Sequence, residues 1–121
     1  VDKRRPSPNE AEVVNIVGDV EDKTCIIIDD IIDTGGTIIA STKELYAKGA
    51  KNILVAASHG VFSRDNIDAL RDAGISDIVV TDSIEKDISG VNVISVSEVL
   101  SQVITHNESG TSLPPEYLAF Y

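Results

Sequence analysis

Methionine is absent from the 121-residue sequence, cysteine occurs once, and basic residues are outnumbered two to one by acidic ones. Because the chain has no initiator methionine, we expect a processed chain or part of a longer one. The single cysteine, Cys25, excludes an internal disulfide and favours a reducing, cytoplasmic setting. Cys25 lies within an apolar run that supplies no positive charge, so we expect a buried structural thiol there.

Positive charge is scarce: 20 acidic residues against 10 Lys and Arg give a net charge of -10. Such a surface repels nucleic acid and anionic membranes, so neither is an expected partner. No apolar run reaches the roughly 18 residues that a membrane span requires. A phosphate ligand would therefore have to be held by local donors or by a metal ion.

Aromatic residues make up only 4% of the chain, and the 42% hydrophobic content suits a core of Val, Ile, Leu and Ala. Short β-branched runs alternate with segments of helical periodicity, which predicts a single α/β domain over residues 1–121 with a parallel sheet flanked by helices. The predicted strands are 24–28, 52–57, 78–81 and 91–96, and the predicted helices are 37–48, 64–72 and 97–104.

Three further expectations concern the ends of the chain and the first long strand. Residues 1–12, which contain the basic run Lys3-Arg4-Arg5 and two prolines, predict a mobile arm, and residues 107–121 predict an irregular tail. The continuous apolar run 24–28 is typical of a parallel strand that is covered on both faces.

A loop of residues 29–37 is predicted to follow that strand, and it combines three carboxylates with a Thr-Gly-Gly-Thr run leading into a helix. In parallel sheets, ligands bind outside the carboxyl ends of the strands. Glycines let backbone N–H groups approach an anion, and a helix N-terminus adds partial positive charge. Carboxylates beside a phosphate would repel it unless they face sugar hydroxyls. The loop therefore predicts a site for a phosphorylated sugar, formed by Asp29, Asp30, Asp33, Thr34, Gly35, Gly36 and Thr37.

Simpler interpretations explain parts of this loop but not its combination of residues. A Gly-Gly pair alone is typical of a turn, and a single Asp before a helix is typical of a cap. Together with three acids and two threonines, the pair favours a ligand site. The loop is not a Walker A loop, because G-x-x-x-x-G-K-[ST] does not occur in the chain.

The run CIIIDDIIDTGGTI, residues 25–38, resembles the signature of the type I phosphoribosyltransferases and of the phosphoribosyl-pyrophosphate synthetases, which share a fold. The form DDIIDTGGT is most similar to the synthetases. The runs DKRRP (2–6), NIVGDV (15–20), SHGVFS (58–63) and VVTDSI (79–84) also resemble that family. The resemblance spans residues 2–104, nearly the whole chain.

The resemblance implies the C-terminal half of a ribose-phosphate diphosphokinase, an enzyme of nucleotide biosynthesis that converts ATP and ribose 5-phosphate to AMP and phosphoribosyl pyrophosphate with Mg²⁺. Lys3 matches the family's catalytic lysine and Arg5 the neighbouring arginine. Asp29 and Asp30 match residues that hold the ribose hydroxyls and any metal on them, and residues 33–37 match the 5-phosphate site. The resemblance places the ATP site and the main metal ligands in a preceding half, so the isolated chain is expected to be inactive. It also implies a homo-oligomer for the full-length enzyme.

Two alternatives remain open, and one segment departs from the family pattern. A type I phosphoribosyltransferase would bind phosphoribosyl pyrophosphate in the same loop, and a non-catalytic synthetase-associated subunit would keep only the fold. The run Arg-Asp-Asn at residues 64–66 differs from the small Ser-Gly-Pro-like continuation that the pattern implies. His59 is expected to be a structural residue and His106 a surface residue.

Overall fold

The computed structural model describes the backbone of residues 2–4 and 13–117 and the side chains from residue 16 onward. Strands and helices alternate along the chain. They are β1 (Asp2–Arg4), β2 (Val13–Asn15), β3 (Thr24–Ile32), α1 (Gly36–Ala47), β4 (Asn52–Gly60), α2 (Ile67–Asp72), β5 (Ile75–Thr81), β6 (Asn92–Ile94) and α3 (Ser97–Ser109), followed by a 3-10 turn at Pro115–Tyr117. Among these described helices, none has the length and apolar character that crossing a membrane would require.

The central feature is a parallel sheet of four strands in the order β3-β4-β5-β6. β3 and β4 are in register from Thr24 opposite Asn52 to Ile32 opposite Gly60, so their carboxyl ends lie side by side. β1 and β2 form a separate antiparallel pair. The predicted α/β class with a parallel sheet is confirmed.

The hydrophobic core lies between one face of the sheet and the helices α1 and α2. Alternate residues of β4 and β5 point into it, as expected for strands that are covered on one face. The strands and helices together contribute Ile53, Val55, Ala57, Ile75, Ile78 and Val80 with Ile38, Leu45, Ile67 and Leu70. The core therefore holds one face of α1 and one face of α2 against the sheet.

The opposite face of the sheet is uncovered among the described residues, so the prediction that the first long strand is buried on both faces was wrong. Ile26 is 62% exposed and Ile28 is 81% exposed, while Cys25 and Ile27 on the other face are partly buried. β3 lies at the edge of the four-stranded sheet, and α3 has no buried residue. A continuous apolar run does not distinguish a strand covered on one face from one covered on both.

Glycines with positive φ follow the ends of α1 and α2, close to the predicted helix ends at residues 48 and 72. Gly49 follows α1 with φ 90°, and the Gly49 and Ala50 N–H groups donate to the carbonyls of Tyr46 and Leu45, both at 3.0 Å. This pair of bonds is a Schellman motif. Gly74 follows α2 with φ 103°, and its carbonyl accepts a 2.6 Å hydrogen bond from the Tyr46 hydroxyl. The two helices are thus joined at the end far from the predicted ligand site.

The two ends of the chain differ in part from the predictions. Residues 2–4 form strand β1, while residues 1 and 5–12 of the predicted arm lie outside the described residues. The mobility of that arm stays a prediction. Helix α3 continues to Ser109, so the predicted irregular tail begins at residue 110, and residues 118–121 lie outside the described part.

The covered and the open face of the sheet predict opposite responses to truncation of isoleucine. Ile78→Ala is expected to lower the free energy of unfolding by about 2–5 kcal/mol, because Ile78 is fully buried and a cavity would remain. Ile28→Ala should change it by about 0.5 kcal/mol or less. Urea denaturation followed by circular dichroism measures both. Equal losses would show that the open face is covered in solution.

Candidate functional site

A short loop at the carboxyl edge of the sheet joins β3 to α1. The sequence predicted that this loop begins at Asp29, but β3 continues through Ile32, with Asp29 opposite Ala57 and Ile31 opposite His59. The prediction took the acids as breakers of the strand. Pairing with β4 overrides the low strand propensity of aspartate, which depends strongly on context. The connection itself is therefore only three residues long, residues 33–35.

Six of the seven residues predicted for the sugar phosphate line one cavity of about 350 Å³ at this edge. Asp29 lines the end of the cavity that is nearest to β3. The remaining lining comes from Ile31, Ile38 and the glycine loop, defined here as residues 33–37. Asp29 also lines a neighbouring, mainly apolar cavity of about 240 Å³ on the open face of the sheet. The acid thus lies between the glycine loop and the open face.

Asp30 is the seventh predicted residue, and the structure places it outside the lining of that cavity. Its side chain is exposed, and its backbone N–H donates to Oδ1 of Asp29 at 2.8 Å. A side-chain hydrogen bond with Asp29 lowers the pKa of Asp30, and the Ile31 N–H and the nearby His59 lower it further. Asp30 is therefore an ionised carboxylate at neutral pH, next to Asp29 but outside the lining of the cavity.

The glycine loop ends at the N-terminus of α1, a helix of 12 residues. Gly35 is its N-cap residue, with φ 76°, and as a glycine it has no side chain that could cap the helix. The Gly35 carbonyl accepts the 2.8 Å bond from Ile39 that begins the helix. The first turn of α1 holds no acidic residue, so the partial positive charge of the helix end faces the cavity without an internal counter-charge.

Asp33 lines the cavity, and its carboxylate also binds the backbone of a neighbouring segment. Its Oδ1 accepts a 3.0 Å hydrogen bond from the Ser63 N–H, which lies just after β4. Hydrogen bonding from the side chain and backbone of Ser63 lowers the pKa of Asp33, and the charges of Lys86 and Arg64 lower it further. Asp33 therefore ties the glycine loop to the segment between β4 and α2.

That segment, residues 61–66, is the part of the site that the sequence did not predict. The N–H groups of Val61 and Phe62 donate to the Ile32 carbonyl at 2.8 and 3.2 Å, and Lys86 Nζ donates to the carbonyls of Val61 and, at 2.9 Å, Phe62. Phe62 itself has φ 42°, a left-handed conformation that is unusual for an aromatic residue. These bonds hold the backbone turn that presents the Ser63 N–H to Asp33.

One signal for this segment was available in the sequence. Strands adjacent in a parallel sheet end at the same edge, so the residue run after β4 has to lie beside the run after β3. The order of the strands is not encoded locally, however, because the sequence pattern of a strand does not show which other strand will pair with it.

Lys3 and Arg5, the predicted catalytic cations, cannot be placed in the site. Lys3 lies in β1, with its Cα opposite Val14, and its side chain is outside the described residues, as is all of Arg5. β2 contacts α1, the helix that begins in the glycine loop. The roles of both basic residues stay predictions.

The two histidines are held by hydroxyl groups. His59 Nδ1 is 2.7 Å from the Ser83 hydroxyl, and His106 Nδ1 is 2.7 Å from the Thr111 hydroxyl. Neither histidine lines the cavity of the glycine loop. Across the described part of the chain, no three His, Cys, Asp or Glu side chains converge in a way that would hold a metal ion.

Comparisons with known proteins identify the family. The model of the phosphoribosyl synthetase-associated domain matches residues 4–115. The chain is 45% identical over 117 residues to "Ribose-phosphate pyrophosphokinase 1" of Listeria innocua and 40% identical over 114 residues to the ribose-phosphate pyrophosphokinase of Aquifex aeolicus. These alignments cover 93% and 92% of this chain, but 37% of each relative.

The fold is similar to a solved structure as well. The phosphoribosylpyrophosphate synthetase of Mycobacterium smegmatis superposes with a TM-score of 0.70 at 37% identity, over 78% of this chain and 33% of that one. The chain thus spans about a third of the length of the proteins that it matches. With its parallel sheet, its glycine loop and the family match over residues 4–115, the chain belongs to the phosphoribosyl synthetase-associated domain family.

Proposed function

We propose that this chain supplies the ribose 5-phosphate site of a ribose-phosphate diphosphokinase. The observation that carries the proposal is the cavity with an acid at one end and a glycine loop at the other. A phosphate suits the N-terminus of α1, whose N-cap residue is the glycine Gly35, and the backbone N–H groups beside Gly35. The Asp29 carboxylate suits the sugar hydroxyls, which donate hydrogen bonds to it.

The names of the relatives support the reaction, which we propose for the whole enzyme. The C1 hydroxyl oxygen of ribose 5-phosphate attacks the β-phosphorus of ATP, and the bond from that phosphorus to the bridging α-β oxygen breaks. AMP leaves, the C1 hydroxyl loses its proton, and phosphoribosyl pyrophosphate forms. Lys3 and Arg5 would stabilise the negative charge that develops on the bridging oxygen. We assign the chain to the C-terminal half of such an enzyme.

Mg²⁺ fits this site only as an ion that is shared between the carboxylates of this chain and the substrate. Magnesium sites that act on phosphates use one or two carboxylates and complete their coordination with substrate oxygens and water. Asp29 and Asp30 offer that number of carboxylates, and the described residues hold no larger cluster. When bound, the ion would supply charge neutralisation for the phosphates. We expect its main protein ligands, like the ATP site, in the other part of the enzyme, so the isolated chain should form no AMP from ATP and ribose 5-phosphate.

Calorimetric titration with ribose 5-phosphate, inorganic phosphate and ribose tests the acceptor site, with Mg²⁺ present throughout. Ribose 5-phosphate is expected to bind most tightly, inorganic phosphate more weakly, and ribose without detectable heat. Asp29→Asn should weaken ribose 5-phosphate binding about tenfold, because it removes a charge-assisted hydrogen bond. It should not weaken phosphate binding, because its partner is the sugar.

The matched control is Asp72→Asn, which removes one negative charge from the exposed last residue of α2. This variant should bind all three compounds like the parent chain. If ribose 5-phosphate binds no more tightly than inorganic phosphate, the sugar end of the proposed site does not exist.

A further inference from the structure

The side-chain amide of Asn66 binds the backbone of the glycine loop from outside the cavity. Its Nδ2 atom donates to the carbonyl oxygen of Asp33 at 2.9 Å and to that of Thr34 at 2.7 Å. Asn66 is 9% exposed and does not line the cavity. Among the described residues, only Asn66 has a side chain that bridges two successive carbonyls of this loop. Asn66 lies 32 positions after Thr34 in the chain, at the start of α2.

This arrangement has two costs that a merely space-filling residue would avoid. Asn66 is the N-cap residue of α2, yet its side chain makes no capping hydrogen bond to that helix, a bond that typically stabilises by about 1 kcal/mol. Its Oδ1 atom is buried without a partner in the described part of the chain. Turning the amide over would place Oδ1 against two carbonyl oxygens, so the orientation is fixed by electrostatics.

Holding the two carbonyls also sets the direction of two N–H groups. In a planar trans peptide, the carbonyl of one residue and the N–H of the next point in opposite directions. The bonds to the Asp33 and Thr34 carbonyls therefore direct the N–H groups of Thr34 and Gly35 away from Asn66. No hydrogen bond to another described residue occupies either N–H group, and both residues line the cavity.

We propose that Asn66 is a positioning residue: it fixes the N–H groups of Thr34 and Gly35 in the orientation that binds the phosphate of the acceptor sugar. The inference rests on the proposed function, because it assigns a role within the same site. It adds a residue that touches no ligand and acts only through the loop.

The test compares Asn66→Leu with the parent chain, since leucine has a similar branched shape but no donor. Binding of inorganic phosphate and of ribose 5-phosphate is measured by calorimetry at a temperature at which both chains are fully folded by circular dichroism. Both affinities are expected to fall by the same factor, about tenfold. Asn107→Leu, on the exposed surface of α3, is the control and should bind like the parent.

An equal factor for both ligands distinguishes this role from contact with the sugar. A purely structural role would lower the thermal midpoint but leave the affinity of the folded protein unchanged, and that result would overturn the proposal. If the parent chain binds neither compound, the proposed function itself fails, and the inference fails with it.

A second measurement needs no variant, and it keeps the proposal open to refutation if Asn66→Leu does not fold. In a ¹⁵N-labelled parent chain titrated with inorganic phosphate, the amide signals of Thr34 and Gly35 should shift more than those of the other loop residues. Saturable phosphate binding without movement of these two signals would show that they are not the donors, and it would overturn the proposal.

Discussion

Ribose 5-phosphate binding is expected to fall about 100-fold when Gly35 is replaced by alanine. Gly35 has φ 76°, a conformation that costs an L-residue about 1–2 kcal/mol. A Cβ atom there would also lie 2.9 Å from Cδ2 of Leu70 and 3.1 Å from Nδ2 of Asn66. Leu70 is 1% exposed and has no room to retreat. The loop would relieve this crowding by leaving its binding conformation, and ligand binding would have to restore it.

Gly110→Ala is the control, because it places a side chain at a positive φ outside the glycine loop. Gly110 follows α3 with φ 67°, but no atom of the described residues lies within 4 Å of a Cβ atom placed there, so this variant has the backbone cost alone. Calorimetry gives the affinity of each variant, and urea denaturation gives its free energy of unfolding. Binding by Gly35→Ala within threefold of that by Gly110→Ala would show that the contact with Leu70 and Asn66 does not shape the loop.

Asp33→Ala is expected to abolish detectable ribose 5-phosphate binding, a loss of about 30-fold or more. The substitution removes the acceptor for the Ser63 N–H and so frees the glycine loop from the segment after β4. Because the pKa of Asp33 is lowered in the folded chain, its carboxylate contributes stability above its ordinary pKa. That contribution is lost as the pH falls through the lowered pKa, so at neutral pH it is fully present.

Asp33→Asn tests whether the hydrogen bond or the charge matters more. Asparagine keeps an oxygen that accepts from Ser63, so it should retain more of the affinity than alanine, as measured by calorimetry at pH 7. Acid denaturation between pH 5 and pH 2 gives the pH at which each chain unfolds, and so measures the contribution of the Asp33 charge to stability. Parent-like binding by Asp33→Ala would remove Asp33 from the site.

The sequence was sufficient to predict the α/β class and most of the residues that line the cavity at the glycine loop, because both depend on local patterns. Periodicity identifies the strands and helices, and a glycine pair between a strand and a helix N-terminus favours an anion site. The end of β3 was not predictable in the same way. Asp29 and Asp30 disfavour a strand by propensity, and only the partner strand β4, more than 20 residues later, keeps them in one.

The residues that support the glycine loop, Ser63 and Asn66, reach it through contacts that no local sequence pattern contains. Asn66 meets the carbonyl of Asp33 across 33 positions, and Ser63 meets its carboxylate across 30. Residues 64–66 are also the segment that departs from the family pattern, so the resemblance assigned Asn66 no role. Placing it required the order of the strands in the sheet, which is a property of the whole fold.

The exposed edge strand β3 has a consequence for how this chain behaves in concentrated solution. Its run Thr24–Ile32 is rich in isoleucine, and in the described part of the chain its outer edge pairs with no other strand. Such an edge is a template for pairing between copies, and charged residues within it oppose that pairing. Asp29 and Asp30 are the only charges in the run. The acids proposed for the sugar would then also act as gatekeepers against aggregation, so neutralising both would be expected to reduce solubility as well as ligand binding.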